Sequence, residues 1–249
     1  MSGQNRTPPT VFEHLFVLGR PAGGKSEFID FMKKLSPDAR AAGFGIGRFE
    51  EVDDFPWLWA ACVEDDARET RGEPRLVSER TPEGYNITRP KFRRSLVEHF
   101  NEAIASRYLS KPAFYADGGT LLIEFARGRD DGFRDSLERF RPEILARAAI
   151  LYIKVSFEES FRRNSSRYKE GQEESILFHK VPDRDMLGFF RENDWDEMTE
   201  GAPDGWLSLA GVRVPFVSMN NEPESTDPAV LAARYGDALG RLMALRQSR

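Results

Sequence analysis

Gly19-Arg-Pro-Ala-Gly-Gly-Lys-Ser26 is the stretch on which the fold turns. It matches Gly-x-x-x-x-Gly-Lys-[Ser/Thr], the spacing of a loop that wraps a phosphate. Its three glycines let the backbone curl so that successive N–H groups point inward at anion oxygens. In such a loop Lys25 bridges the β- and γ-phosphates and the Ser26 hydroxyl binds Mg²⁺. The helix that follows turns its positive end toward the same anion. Gly19, Arg20, Pro21, Ala22, Gly23, Gly24, Lys25 and Ser26 are therefore the expected nucleotide-binding residues.

The flanks agree with that reading. His14-Leu-Phe-Val-Leu18 is a short apolar run suited to a buried parallel strand. Beyond the loop, Phe28, Ile29, Met32 and Leu35 share one face at helical spacing. Strand, glycine loop and helix follow in the order that phosphate binding demands.

Farther along the chain, strands alternate with helices. Residues 36–47 carry one proline and three glycines and read as a loop. Residues 46–52 predict a thin second strand at a sheet edge, followed by a helix from Pro56 that Asp53 or Asp54 caps. Residues 64–90 read as a polar surface excursion. A helix from Pro90 to Tyr108 carries an apolar stripe of Leu96, Val97, Phe100, Ala103 and Ile104. Its basic start (Arg89, Lys91, Arg93, Arg94) reads as a solvated face or as an anion contact. Further strands are expected at 120–126 and 149–155, with helices at 133–147 and 157–168. Residues 206–219 suggest a hairpin or final strand, and an amphipathic helix closes the chain at 228–246. This alternation predicts an α/β fold with a mostly parallel sheet and right-handed crossovers. The 249 residues are expected to form a single domain over 10–249, with a flexible tail at 1–9 and a lid region at 157–205.

Composition narrows the function classes. With 36 basic and 41 acidic residues the formal net charge is −5, which argues against a nucleic-acid surface. Cys62 is the single cysteine and cannot form an internal disulfide. No apolar run approaches the length of a membrane span, and a cytoplasmic location is expected. The three histidines lack the spacing of a metal site.

In an open parallel sheet, ligands bind beyond the carboxyl ends of the strands. There the sequence places Glu51, Asp53 and Asp54 after the second strand and Glu124 and Arg127 at the end of the third. Arg162, Arg163 and Arg167 follow the fourth strand, and Asn220 follows the last. Carboxylates and guanidinium groups at one edge suit phosphoryl transfer, in which positive groups offset charge on the moving oxygens. Glu124 is a candidate metal-shell ligand or base, or a strand carboxylate with an arginine partner. Asp53 or Glu51 is a candidate to orient an acceptor hydroxyl, and Asp53 can equally be a helix cap. Arg127 is a candidate substrate or phosphate contact, or a plain ion pair; at least one of Arg162, Arg163 and Arg167 is a candidate phosphate contact, the others lying partly on a solvated face.

These features resemble the P-loop kinases of the nucleoside and nucleotide kinase group. The resemblance is carried by Gly19–Ser26, by the strand end Leu121-Leu-Ile-Glu-Phe-Ala-Arg127, by Phe161-Arg-Arg-Asn-Ser-Ser-Arg167, and by the strand Val214-Pro-Phe-Val217 leading to Asn220. It spans roughly residues 12–245. It implies a three-layer fold with a five-stranded parallel sheet in the order 2-3-1-4-5, ATP and Mg²⁺ as cofactors, an arginine-bearing lid, and adenine contact near Asn220. The implied catalytic set is Lys25, Asp53, Glu124, Arg127, Arg163 and Arg167, with Ser26 and Glu124 at the metal. The aspartate of adenylate-kinase-like enzymes has no match in Ile123-Glu-Phe-Ala-Arg127, and Glu124 and Arg127 are spaced differently from the deoxyribonucleoside-kinase motif. The expected partner is a small-molecule phosphoryl acceptor, with no nucleic acid and no membrane; a homodimer is compatible with the sequence. A nucleotide-dependent switch that binds ATP without transferring phosphate is the alternative.

Overall fold

The computed structural model describes residues 10–167 and 180–248. Strand β1 (His14–Gly19) leads into the phosphate loop and helix α1 (Lys25–Lys34), and α2 (Pro37–Phe44) precedes β2 (Arg48–Asp53). Helix α3 (Phe55–Thr70), the hairpin β3 (Ser78–Thr81) and β4 (Gly84–Ile87), and α4 (Phe92–Ile104) follow. A π-helical turn (Ala105–Leu109) and α5 (Pro112–Ala116) lead to β5 (Gly119–Phe125). Then come α6 (Phe133–Leu137), α7 (Pro142–Leu145), β6 (Ala148–Lys154), α8 (Phe157–Arg167), α9 (Asp183–Gly188) and α10 (Trp195–Met198). The chain ends with β7 (Asp204–Leu209), β8 (Val212–Asn220) and α11 (Pro228–Gln247).

The main sheet has six strands in the order β2-β5-β1-β6-β8-β7. Its first five strands are mutually parallel, and β7 adds antiparallel to β8. Counted along the chain, the parallel strands run 2-3-1-4-5, as the resemblance implied. The expected count of five rises to six because the turn at Ala210-Gly211, both with positive φ, folds β7 back onto the edge of β8.

Every residue of β1 is buried, as a central parallel strand covered on both faces requires. Period-two alternation divides its side chains. Phe16 and Leu18 join the core under α4, α6 and α7, with Ile123, Phe125 and Phe140. Leu15 and Val17 join the core under α1 and α11, with Phe28, Met32 and Leu239. Three layers result, with the sheet in the middle. β2 is the other edge, and its exposed Arg48, Glu50 and Glu51 suit an edge that must stay unpaired.

Three local expectations are corrected. Residues 36–47 contain α2, because the Ser36 side chain accepts the Ala39 N–H, Pro37 sits in the first turn, and Gly45 ends the helix at φ 63°. The helix expected at 133–147 is two short helices, interrupted before Pro142, whose ring cannot continue the hydrogen-bond ladder. The excursion at 64–90 is half structure: α3 runs on to Thr70, and β3 and β4 form a separate antiparallel sheet. Among the described residues, no helix is long and apolar enough to cross a membrane.

Candidate active site

The phosphate loop is shaped by backbone that side chains resist. Gly24 has φ +109°, and a Cβ there would lie 2.2 Å from Asn221 Nδ2. Gly19 has φ +154°, and its Cβ would lie 2.6 Å from the Ile153 carbonyl oxygen. Helix α1 starts at Lys25 with no side-chain cap, and its positive end faces the loop. Lys25 is buried and donates from Nζ to the Arg20 carbonyl at 3.0 Å, with Glu124 Oε1 at 3.9 Å.

The loop is clamped from beneath. Asn221 donates from Nδ2 to the Gly23 carbonyl at 3.0 Å and from its backbone N–H to Lys154 at 2.9 Å. Its side-chain oxygen accepts from Arg234 at 2.6 Å and its carbonyl accepts from Arg163 at 2.8 Å. Ser160 of α8 donates to the Pro21 carbonyl at 2.7 Å. Arg20 reaches the Phe190 carbonyl and lies 5.8 Å from the Phe157 ring centroid.

Parallel register brings the carboxylates together. Asp53 of β2 pairs with Glu124 of β5, and Glu124 pairs with Val17 of β1. Burial, then the neighbouring Asp54 and Glu124, push the Asp53 carboxyl up to about 7. Burial also raises Glu124, with Lys25 opposing it. Asp53 Oδ1 accepts the Phe55 N–H at 3.0 Å, so it caps the start of α3 as well.

Arg127, Arg162 and Arg163 of the expected set are engaged by the protein's own groups. Arg127 is 1% exposed and gives its donors to Asp54 (2.6 Å), Ser136 (2.9 Å), Ala126 O (2.7 Å) and Arg93 O (3.1 Å). It borders the cavity as a buried pillar that holds Asp54. Arg163 donates to Glu159 at 2.7 Å and to the Asn221 carbonyl at 2.8 Å. Arg162 also pairs with Glu159, and these hydrogen bonds hold the Glu159 carboxyl down to about 2. The backbone of Arg167 ends α8, but its side chain, with residues 168–179, lies outside the described residues. Asn220 is exposed and bonds to the Glu222 carbonyl at 3.2 Å; its neighbour Asn221 is the residue that meets the loop.

One cavity of about 680 Å³ joins these parts. Ala22, Gly24, Lys25, Ser26, Asp53 and Glu124 line it. Phe55, Leu58 and Trp59 of α3, Tyr85 and Ile87 of β4, Arg93, Asp185 and Phe190 line it as well, with the Trp59 and Tyr85 rings 5.3 Å apart. Arg93 is buried, ion-paired to Asp185, and 4.1 Å from the Phe189 ring centroid. Its reading as part of a solvated basic helix start is therefore corrected. The signal was present: Arg93, Leu96, Val97 and Phe100 lie on one helical stripe, and an arginine on an apolar stripe needs a buried partner. Trp59, Tyr85 and Asp185 gave no signal, because their meeting depends on the hairpin and α9 folding over α3.

Among the described residues, no group of three or more histidine, cysteine, aspartate or glutamate side chains forms a metal cage. A Mg²⁺ held partly by nucleotide oxygens and water needs only one or two protein oxygens. Ser26 and Glu124, both on the cavity wall, fit that requirement.

No protein-family model matches the chain, and no curated protein matches it in sequence. Among solved structures, a gluconokinase from Sinorhizobium meliloti 1021 is similar over 98% of this chain and 99% of its own, at 15% identity and TM-score 0.39. A sugar kinase from Janibacter sp. HTCC2649 is similar over 94% of this chain and 97% of its own, at 16% identity and TM-score 0.36. A Pnkp1/Rnl/Hen1 RNA repair complex is similar over 75% of this chain, at 14% identity and TM-score 0.34; there the chain spans 44% of the other's length. At this distance the chain's own residues carry the functional reading. Its sheet order and its loop between β1 and α1 define a P-loop α/β fold.

Proposed function

We propose that the protein transfers a phosphoryl group from Mg-ATP to a small-molecule hydroxyl. The observation that carries this reading is the single cavity in which the phosphate loop and paired carboxylates share a wall with an aromatic chamber. Asp53 and Glu124 beside the loop suit activation of an acceptor hydroxyl, which nucleotide binding alone does not need, so the switch alternative is less well supported.

Mg-ATP, when bound, supplies the transferable group and neutralises charge on its oxygens. The loop amides and Lys25 hold the phosphates, and Ser26 with Glu124 holds the metal or its waters. Asp53 orients the acceptor hydroxyl and takes its proton. Its raised carboxyl suits that role, since a base with a pKa near neutrality is matched to its task. Arg127 acts indirectly by neutralising Asp54 beside Asp53. Arg163 acts indirectly through the Asn221 clamp. The single domain over 10–249 and the cytoplasmic setting belong to the same reading.

The test is ADP release from Mg-ATP across a panel of nucleosides, nucleotides and sugars. Acceptor-dependent release that falls at least 100-fold in Lys25→Ala, with the variant still folded by circular dichroism, is expected. Turnover that survives Lys25→Ala places the site elsewhere, and release that needs no acceptor favours the switch.

A further inference from the structure

Arg20 does something that the loop pattern does not ask of it. In Gly-x-x-x-x-Gly-Lys-[Ser/Thr] the second position is unspecified, because phosphate is wrapped there by backbone. The Arg20 carbonyl serves the loop: it accepts from Lys25 Nζ at 3.0 Å and from the Gly23 N–H at 3.2 Å. The Arg20 guanidinium leaves the loop. It lies 5.8 Å from the Phe157 ring centroid and donates to the Phe190 carbonyl, 170 positions away. One residue thus touches both the loop ammonium and the chain just beyond α9.

The chain it reaches is part of the cavity wall. Asp185 and Phe190 line the same cavity as Lys25 and Ser26. Phe189 and Phe190 give their N–H groups to the Asp185 carbonyl at 2.9 and 3.1 Å, so this turn and α9 share their hydrogen bonds. The turn is gripped from other elements as well. A Cβ on Gly128 would lie 1.9 Å from the Phe189 carbonyl oxygen, so the two backbones meet closely. The Arg93 guanidinium lies 4.1 Å and 5.1 Å from the Phe189 and Phe190 ring centroids and pairs with Asp185. With six residues, α9 is too short to hold its shape alone, so such contacts set it. Arg20 supplies the one that starts in the phosphate loop.

We propose that Arg20 is a positioning residue that ties the cavity wall at 185–190 to the phosphate loop, so that nucleotide on the loop steadies that wall. A guanidinium on a carbonyl is a charge-assisted bond, and removing the donor leaves the carbonyl of the buried Phe190 unmatched. Steadying one part of a protein by a ligand at another needs such a physical link. The nucleotide half of the proposal rests on the phosphotransferase reading; the tie itself does not.

Hydrogen exchange of the full chain, followed by mass spectrometry with and without saturating Mg-ADP, tests both halves, beside calorimetric titration of Mg-ADP. Arg20→Met keeps the stem near Phe157 and removes the donor. Without nucleotide, the variant's amides at Met186, Phe189 and Phe190 are expected to exchange roughly tenfold faster or more, with β1 and β5 unchanged. With Mg-ADP, the native protein is expected to slow both at 20–34 and at 186–190, and the variant only at 20–34. Unchanged exchange at 186–190 in the variant overturns the tie; if Mg-ADP binding also weakens, Arg20 is a phosphate contact instead. Faster exchange that extends to β1 and β5 marks a general structural role and overturns positioning. Mg-ADP that slows the loop alone in the native protein, or still slows 186–190 in the variant, overturns the coupling. Failure of Mg-ADP to bind the native protein overturns the phosphotransferase reading and the nucleotide half with it, while faster exchange in Arg20→Met leaves the tie standing.

Discussion

Gly24 shows how much one position decides. Its φ of +109° is open to glycine and strained for other residues, and Asn221 Nδ2 fills the space a Cβ would need. Gly24→Ala therefore sets a methyl against the clamp that holds the Gly23 carbonyl. The variant is expected to fold, since the loop lies beyond the carboxyl end of β1 and outside both main cores. Its affinity for Mg-ADP is expected to fall at least tenfold by calorimetry. Unchanged affinity would show that the loop does not bind phosphate in this backbone shape. At the same scale, Asp53 gains its raised carboxyl from register: a strand partner that is also a carboxylate, in a place where water is scarce.

At the scale of elements, the hairpin of β3 and β4 depends on one buried carboxylate of α3. Asp65 accepts the N–H groups of Leu76, Val77 and Ser78 at 2.8, 2.9 and 2.7 Å, and the Ser78 hydroxyl at 2.9 Å. Burial works against its charge, but these donors hold the carboxyl below its ordinary range. Through this anchor the sequence at 64–90, read as a surface excursion, brings Tyr85 and Ile87 to the cavity. Asp65→Ala leaves buried donors unmatched and is expected to cost on the order of 3 kcal/mol in urea unfolding. In a surviving fold, acceptor KM is expected to rise while KM for ATP holds. A parallel rise in both would mean that the hairpin serves the whole site rather than the acceptor chamber.

Across the whole molecule, stability at acid pH is expected to depend on His14, at the end of β1 far from the loop. Its Nδ1–H donates to the Ile144 carbonyl at 2.9 Å, and Nε2 accepts from the Tyr115 hydroxyl at 2.7 Å. Burial lowers its pKa to about 4, with the Ile144 bond opposing. The unfolded chain takes up the proton near pH 6.5 and the folded chain only near 4. The His14 contribution is therefore complete above pH 6.5 and lost as pH falls toward 4, by up to about 3 kcal/mol. His14→Asn, which keeps a donor near Ile144, is expected to flatten that part of the urea-midpoint profile; an unchanged acid slope would exclude His14 as its source. The phosphate loop, the parallel strands and the helical stripes were determined by the sequence itself, because each is written in a few contiguous residues whose backbone needs and burial patterns are local. The partners of the arginines were decided only in the tertiary structure. Arg127 meets Asp54 across 73 positions and Arg93 meets Asp185 across 92. A charge's effect depends on what lies within a few ångströms of it, and the chain order does not state that distance.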